Sequence, residues 1–242
     1  MFIHNRLGML EGVETMLAQE QRLNQVANNL ANVDTAGYKK ESVTFGEMLY
    51  NVSHNRQRVG KALSIVTDQQ QGNTQLTGNA LDLAITGQGF FKIETPGGVR
   101  YTRAGNFELD NDGRLRMPNG GLVMGENGPI ILDNNEFTID RQGRVLIDGL
   151  MVNRMDIATV DDPNLLAKEG ESLFRLKEGG QELAAADFQV KQGFVEKSNV
   201  NSVEEMTVMI ELQRAYEGQQ KMIQAVDEID NLAVRRVGTL NG

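Results

Sequence analysis

The residue types that could do chemistry in this chain do not combine into a complete catalytic, nucleotide or metal site. The glycines of GQGFF, Gly87 and Gly89, resemble a phosphate loop, but an apolar strand follows them where such a loop needs a helix N-terminus. The stretch DNDG (110–113) begins like a calcium loop, yet Gly121 stands at the twelfth position, where glutamate is needed. We therefore predict a strand corner and a turn here, in a protein that is not an enzyme and has no cofactor or metal.

The bulk composition excludes several other classes of function. Cysteine is absent, which excludes disulfides, thiolate chemistry and sulfur-based zinc sites. The two histidines, His4 and His54, have no metal-site spacing, and no G-x-S-x-G nucleophile motif occurs. A net charge of −9 with scattered Lys and Arg argues against a nucleic-acid partner. No small-molecule substrate is predicted either.

The N-terminus MFIHNRLGMLEGVETML lacks a basic region followed by an unbroken apolar core. This predicts that the chain has no cleavable signal peptide. No stretch reaches the roughly eighteen apolar residues of a transmembrane helix. If the protein leaves the cytosol, it must use a route that reads something other than a conventional signal.

Both ends of the chain carry apolar residues at the alternating spacings of four and three that define a heptad seam. At the N-terminal end Glu20 fills the one gap. The apolar members there are Met9, Val13, Met16, Leu23, Ala27 and Leu30. At the C-terminal end Gln219 and Asp230 are polar exceptions. The apolar members there are Met209, Leu212, Tyr216, Ile223, Val226 and Ala233.

These spacings predict two long amphipathic helices that serve each other as partners, because a lone helix is marginally stable in water. Ser198 or Ser202 is predicted to cap the second helix, with Glu205 completing a capping box behind Ser202. Polar residues on the seam cost stability in an isolated pair and are tolerated where they meet further neighbours. The polar exceptions therefore favour helices that pack among many copies.

The middle of the chain is different, because short apolar runs alternate there with Gly and Asn turns. Leu81, Leu83 and Ile85 alternate as one face of a strand would. The stretches FELDNDGRL (107–115) and FTIDRQGRV (137–145) share the pattern F-x-L/I-D-x-x-G-R-L/V. This repetition predicts a duplicated hairpin in a β-rich domain.

We predict an α+β fold in three parts. Residues 1–40 and 196–242 form a terminal helical, coiled-coil assembly domain. Residues 41–75 are polar and weakly patterned, and are interpreted as an extended connector. Residues 76–195 form a β-rich domain with antiparallel hairpins, which the family resemblance described below implies is the outer domain.

Three stretches together resemble the flagellar axial proteins that build the bacterial basal-body rod and hook. LNQVANNLANVDTAGYKK (23–40) is similar to the N-terminal motif A-N-N-L/I-A-N-x-x-T-x-G-Y/F-K/R of that family. GFVEKSNVNSVEEMTVMIELQRAYEGQQKMIQAVDEI (193–229) resembles its C-terminal signature. LDLAITGQGFFKI (81–93) and YTRAGNFELDNDGRL (101–115) match between them.

The resemblance implies a structural subunit of the rod in the periplasmic space, exported by the flagellar type III apparatus without a cleaved signal. Its partners would be other copies of itself, other rod subunits and the export apparatus. Chain length then favours two members of the family, a proximal rod protein with a β-domain and a slightly longer distal rod protein. The short connector favours the proximal one. A rival from another class is a β-domain binding module on a private helical stalk.

The asparagines of the first helix and the glycine after it need a physical explanation, because asparagine is a poor helix-interior residue. We expect Asn28, Asn29 and Asn32 to bond sideways to neighbouring subunits and to fix their register. The alternative is that they only loosen the end of the helix. Gly37 is expected to permit the backbone reversal where the helix ends.

Overall fold

Two long helices stand at the ends of the chain, where the heptad spacings predict them. A computed structural model of the protein describes residues 2–52, 56–132, 137–170 and 172–238. Helix α1 spans Phe2–Ala31 and helix α2 spans Ser202–Gly238. The part of the chain between them is almost entirely strands and turns, with one short 3-10 turn at Pro163–Leu165.

The chain divides into two units. The first, which we call the helical unit, comprises Met1–Leu30, Ser42–Ile65 and Asn201–Gly242. The second, the β-rich body, comprises Ala31–Glu41 and Val66–Val200. The protein is therefore of the α+β class, with two helices and a large antiparallel β-rich part.

The segment for which the sequence predicts an extended connector contains two long strands, β1 (Glu41–Val52) and β2 (Arg56–Thr67). They pair with each other and with no other strand in the described part of the chain. The Thr44 hydroxyl donates to the Ser64 carbonyl oxygen at 3.2 Å. β-Branched residues such as Val43, Ile65 and Val66 favour this extended backbone locally, although the polar residues between them hide the pattern.

The strands of the β-rich body are short and follow one another through tight turns. In chain order they are β3 (Thr74–Leu76), β4 (Leu83–Gly87), β5 (Phe90–Thr95), β6 (Gly98–Thr102), β7 (Glu108–Leu109), β8 (Leu115–Arg116), β9 (Leu122–Gly125), β10 (Gly128–Pro129), β11 (Phe137–Ile139), β12 (Arg144–Ile147), β13 (Leu150–Arg154), β14 (Ile157–Val160), β15 (Leu166–Glu169), β16 (Leu173–Leu176), β17 (Glu182–Ala184), β18 (Phe188–Gln192) and β19 (Phe194–Glu196).

The largest sheet has the strand order β15-β16-β6-β5-β9-β8-β7, with β14 paired to β5 and β17 and with β10 paired to β9. A three-stranded sheet, β11-β12-β13, and the pairs β18-β4 and β19-β3 complete the body. The pairings of β3 to β19 with one another are antiparallel. The prediction of antiparallel hairpins in the middle of the chain is confirmed.

The core of the β-rich body lies between these sheets. Its main cluster is centred on Leu83, Ile85, Phe91, Ile93 and Val123, all fully buried. Ala84 is buried as well, so both faces of β4 are covered rather than only the one that alternation predicts. Because burial of such side chains is the main driving force for folding, this cluster holds the body together.

The duplicated hairpin is confirmed down to its individual hydrogen bonds. In the first copy, Oδ1 of Asp110 accepts from the backbone N–H of Asp112 (2.9 Å) and Arg114 (2.8 Å), and Oδ2 accepts from Nε of Arg114 (2.8 Å). In the second copy, Oδ1 of Asp140 accepts from two backbone N–H groups at 2.9 Å, and Oδ2 accepts from Nε of Arg144 at 2.6 Å. The aspartate is thus a turn residue in both copies.

The GQGFF stretch forms the corner between β4 and β5, as predicted. Gly87 and Gly89 have φ angles of 99° and 129°, which side chains other than hydrogen rarely permit. A Cβ on Gly89 would lie 2.6 Å from Cγ2 of Ile157. The two glycines therefore turn the chain and let it approach a neighbouring strand.

Candidate assembly interface

Helices α1 and α2 contact each other along the helical unit and run in opposite directions. Near one end, Asn29 lies opposite Glu205. Near the other end, a Cβ on Gly12 would lie 3.0 Å from Nε2 of Gln219 and 3.6 Å from Cδ1 of Ile223. At a rise of 1.5 Å per residue, these two points lie about 25 Å apart along the helix axis.

The least exposed residues of α1 also alternate at spacings of four and three. At every second position, however, the observed residue lies one place before the predicted seam residue. The least exposed residues form a stripe that comprises Gly12, Met16, Gln19, Leu23, Val26 and Leu30. Three predicted seam residues, Met16, Leu23 and Leu30, belong to this stripe, whereas Val13 and Ala27 are exposed. A glycine and a glutamine occupy two positions of the stripe, so a search for apolar residues alone cannot find it. The side chain of Met9 lies outside the described residues.

The side of α2 that is least exposed follows the predicted spacing. Leu212 is buried, and the partly buried residues around it are Met209, Tyr216, Gln219, Ile223 and Val226. The side chain of Ala233 lies outside the described residues. Glu205 extends the stripe toward the N-terminus of the helix.

A second set of apolar side chains on α2 is exposed and lies outside the stripe that is least exposed. Its members are Val203, Met206, Ile210, Met222, Ile229 and Leu232. On α1, Val13 and Leu17 are likewise exposed. A pair of helices needs only one apolar stripe on each partner, so these residues are surplus to the contact between α1 and α2.

The helix cap predicted at Ser202 is wrong, because Asn201 performs this role. The Asn201 side-chain oxygen accepts from the backbone N–H of Val203 (3.1 Å) and Glu204 (3.4 Å). Ser202 is the first residue of the helix. Glu205 is buried against α1 instead of folding back to the cap. Asparagine is among the best N-cap residues, so local chemistry does not separate the two candidates.

The three asparagines have different surroundings. Asn29 is buried, and its Nδ2 donates to Oε2 of Glu205 at 3.3 Å. Asn32 accepts from the hydroxyl of Thr35 at 3.1 Å in the turn that follows α1. Asn28 is exposed. Bonds from these residues to neighbouring subunits stay a prediction.

The motif residues after α1 are anchored inside the β-rich body. Gly37 has a φ of 66°, and a Cβ there would lie 2.1 Å from the backbone nitrogen of Ala104. Its own N–H donates to the carbonyl oxygen of Glu196 at 2.8 Å. Nζ of Lys168 lies 3.5 Å from the ring centroid of the buried Tyr38. Only glycine fits at position 37, because of its φ angle and the close approach to Ala104.

The next motif residue, Lys39, belongs to a buried network of charged side chains. Nζ of Lys39 donates to Oε1 of Glu196 and to the carbonyl oxygen of Gln70, each at 2.6 Å. Nη1 of Arg103 lies 3.5 Å from Oε2 of Glu196. Burial lowers the pKa of the Lys39 amine, and the charge and hydrogen bond of Glu196 oppose that shift. Burial likewise lowers the pKa of Arg103, again opposed by Glu196.

Sequence reasoning missed this network, because lysine, arginine and glutamate are almost never fully buried unless they are paired. The signal that was available is the position of Lys39 and Glu196 inside the two motif stretches. Neither residue lies on a heptad seam, so helical periodicity does not select them.

In the described ranges, no group of three or more His, Asp or Glu side chains is arranged to hold a metal ion. No helix in the described ranges is both long and apolar enough to cross a membrane. His54 and the side chain of His4 lie outside the described residues.

Comparison with known proteins identifies both the ends and the middle of the chain. The family model described as "Flagella basal body rod protein" matches residues 9–39. The model described as "Flagellar hook protein FlgE/F/G D1 domain" matches residues 84–147. The model described as "Flagellar basal body rod FlgEFG protein C-terminal" matches residues 191–236. These regions contain most of the two helices, the anchored motif and both copies of the duplicated hairpin.

Curated relatives extend over nearly the whole chain. The flagellar basal-body rod protein FlgF of Caulobacter vibrioides is 33% identical over 245 residues, covering 95% of this chain and 97% of the relative. The flagellar basal-body rod protein FlgG of Bacillus subtilis is 34% identical over 254 residues, covering 91% and 95%. The FlgG protein of Borreliella burgdorferi is 34% identical over 253 residues, covering 90% and 94%.

Long terminal helices, a β-rich body and these matches define a structural protein of the bacterial flagellum. The chain belongs to the family of flagellar basal-body rod proteins. It is a structural subunit of the rod, in a family that is not one of enzymes.

Proposed function

We propose that the protein enters the rod through the outward sides of its terminal helices, which pack against helices of other subunits as a coiled-coil layer. The observation that carries the proposal is the exposed apolar set on α2, which includes Val203, Met206 and Ile210. Contiguous apolar surface on a soluble chain marks a contact with another molecule. In this arrangement each helix buries one stripe of residues against the other helix. The exposed apolar residues are left to contact neighbouring subunits.

The predicted interface residues take two roles in this proposal. Leu212 and Tyr216 lie on the inward stripe and hold the helix pair together. Val13 and Ala27 lie on exposed positions of α1 and face neighbouring subunits. The partners are other copies of this chain and other rod subunits, and the flagellar type III export apparatus delivers the chain without cleavage of a signal peptide. The assembled rod crosses the periplasmic space.

We further propose the proximal part of the rod as its position, with the distal part as the alternative. The support for this choice is the short length of residues 41–75, which the sequence predicts to be a connector. The proposed division of labour is that residues 1–40 and 196–242 assemble, residues 41–75 connect and residues 76–195 form the outer domain.

The substitution Ile210→Asp tests the assembly role. Ile210 is exposed, so the purified variant should keep the helical circular dichroism and melting temperature of the parent protein. A carboxylate buried in an apolar contact between subunits is strongly unfavourable, so cells carrying the variant should lack completed rods and fail to swim. Gln213→Asp adds the same charge at an exposed polar position of α2 and should swim.

Normal swimming of the Ile210→Asp strain would overturn the proposal. Labelling the subunit and imaging isolated basal bodies by electron microscopy decides its position. Label near the inner-membrane end of the rod supports the proximal assignment, and label at the hook end supports the distal one.

A further inference from the structure

Three pieces of the β-rich body carry its connections to the rest of the chain. These pieces are the segment Ala31–Glu41, which connects to the helical unit at both of its ends, and the two ends of Val66–Val200. The body therefore has four covalent links to the helical unit, all within these pieces. Contacts among the three pieces therefore hold together the segments from which those links leave the body.

The buried ion network lies where the three pieces meet. Lys39 belongs to the first piece, the carbonyl oxygen of Gln70 to the start of the second, and Glu196 to its end. Oε1 of Glu196 also accepts from the backbone N–H of Gly72 at 3.0 Å. One carboxylate thus contacts both other pieces at once, and Lys39 and Glu196 are 157 positions apart in the sequence.

Further hydrogen bonds surround the network and join the same pieces. The N–H of Gly37 donates to the carbonyl oxygen of Glu196 at 2.8 Å, and the N–H of Asp68 donates to that of Lys40 at 2.8 Å. The N–H of Lys40 donates to Oδ1 of Asn199 at 2.7 Å. Nδ2 of Asn199 in turn donates to the carbonyl oxygen of Asp68 at 3.0 Å.

A second lysine secures the first piece from the other side. Nζ of Lys168 donates to the carbonyl oxygen of Lys39 at 3.2 Å and lies 3.4 Å from Oε2 of Glu41. Lys168 comes from β15, at one end of the largest sheet. The first piece is therefore attached both to Glu196 and to the main sheet.

Arg103 connects the network to the rest of the body. Its Nη2 donates to the carbonyl oxygen of Gly87 at 2.7 Å, at the corner that ends β4. Its Nη1 faces Oε2 of Glu196 at 3.5 Å. Glu196 is fully buried, so its carboxylate is compensated by Lys39 and Arg103 rather than by water.

We propose that Lys39, Glu196 and Arg103 form a joint that holds together the three pieces of the β-rich body through which the chain enters and leaves it. The joint borders the apolar core through Arg103, whose Cζ lies 5.2 Å from the ring centroid of Phe90, and it closes only when the three pieces have come together. In the assembled rod it keeps these three pieces of the β-rich body together while the helices are held by neighbours. That use in the rod rests on the proposed function, whereas the joint itself belongs to the single chain.

Amide hydrogen exchange on the purified full-length protein tests the joint without any assembly. The substitution Glu196→Gln keeps the shape of the side chain but leaves Lys39 and Arg103 without their counter-charge. We expect the exchange rates of the Gly37, Asp68 and Gly72 amides to rise by about a hundredfold or more, consistent with loss of a buried pair. Amides of strand β5 in the core should change by less than about threefold.

The matched control is Glu169→Gln, which removes the exposed carboxylate that pairs with Arg100 at 2.9 Å. It should leave exchange at Gly37 and Gly72 unchanged. The double variant Lys39→Met/Glu196→Gln removes one cation with the carboxylate, so its rates should be no higher than those of Glu196→Gln alone.

Two results would overturn the proposal. In the first, amide exchange at Gly37, Asp68 and Gly72 is unchanged in Glu196→Gln, which would show that Glu196 does not hold the three pieces together. In the second, all amides accelerate together or the variant fails to fold, so the network is part of the cooperative core and not a local joint. Neither result depends on whether Ile210→Asp cells swim, so the joint and the assembly role fail separately.

Discussion

Asn29 and Glu205 bind each other across the two terminal helices. Nδ2 of Asn29 lies 3.3 Å from Oε2 of Glu205, and the two residues are 1% and 2% exposed. An asparagine that is unfavourable within an isolated helix is therefore used to satisfy a buried carboxylate on the partner helix. The bond also favours one alignment of α1 against α2, because a buried polar pair between helices specifies register.

The first prediction concerns this pair. Asn29→Asp replaces a donor with a second carboxylate beside Glu205, so at pH 7 the free energy of unfolding should fall by about 1–3 kcal/mol. Urea denaturation followed by circular dichroism at pH 7 measures the loss.

Asn28→Asp is the control for that experiment, because Asn28 is an exposed neighbour on the same helix. Its effect should stay within about 0.5 kcal/mol. Equal losses in the two variants would show that the charge, and not the contact with Glu205, destabilises the protein.

The second prediction concerns the glycine at the anchored motif. Gly37→Ala should lower the free energy of unfolding by about 3 kcal/mol or more, because a Cβ would meet the backbone of Ala104 at 2.1 Å and φ is 66°. Gly78 has a similar φ of 75°, but a Cβ there meets nothing within 4 Å. Gly78→Ala should therefore cost only about 1 kcal/mol. Thermal melts that give equal losses would disprove the close approach at Gly37.

Much of the fold could be predicted from sequence, and the parts that could not share a physical cause. Periodicity found α2, and the repeated Asp and Gly-Arg positions found both turns, because these features depend on near neighbours in the chain. The inward stripe of α1 was missed at Gly12 and Gln19, which are not apolar, and at Val26, because Ala27 fits the predicted spacing instead. Lys39 and Glu196 were missed because their pairing is a long-range contact between charged residues, which local pattern does not encode.

The third prediction concerns the pH dependence of the duplicated turns. Burial raises the pKa of Asp140, but hydrogen bonds from the Arg144 backbone and side chain outweigh it, and the pKa lies below its ordinary value. A carboxyl whose pKa is lowered on folding stabilises the protein above its unfolded pKa, and the contribution is lost as pH falls through the folded value. Asp140→Asn should therefore lower the melting temperature at pH 7 by about 1–3 °C, because exposed pairs contribute little.

Near pH 2 the melting temperatures of Asp140→Asn and the parent protein should converge. Asp110 makes the same bonds to Arg114, and its pKa is lowered in the same way, so Asp110→Asn should follow the same pH profile. A difference that grows toward low pH in either variant would contradict the assignment of these aspartates as charged turn residues.

The fourth prediction concerns the close approach of the two helices. Gly12→Leu should destabilise the helical unit by about 1–3 kcal/mol, because a Cβ already comes within 3.0 Å of Nε2 of Gln219 and further atoms have no room. A Cβ at Gly218 on α2 would meet nothing within 4 Å. Gly218→Leu should therefore be neutral or stabilising, since leucine is the better helix former. Chemical denaturation curves for the two variants compare them directly, and a stabilising Gly12→Leu would mean that the helices do not touch there.

The most direct test of the assembly account is cryo-electron microscopy of purified basal bodies at a resolution that shows side chains. We expect this chain in the rod, with Val203, Met206 and Ile210 of one copy packed against helices of neighbouring subunits. We also expect Asn29 bonded to Glu205 within each copy. A rod in which these three apolar side chains face water, or which lacks the chain altogether, would contradict the assembly account.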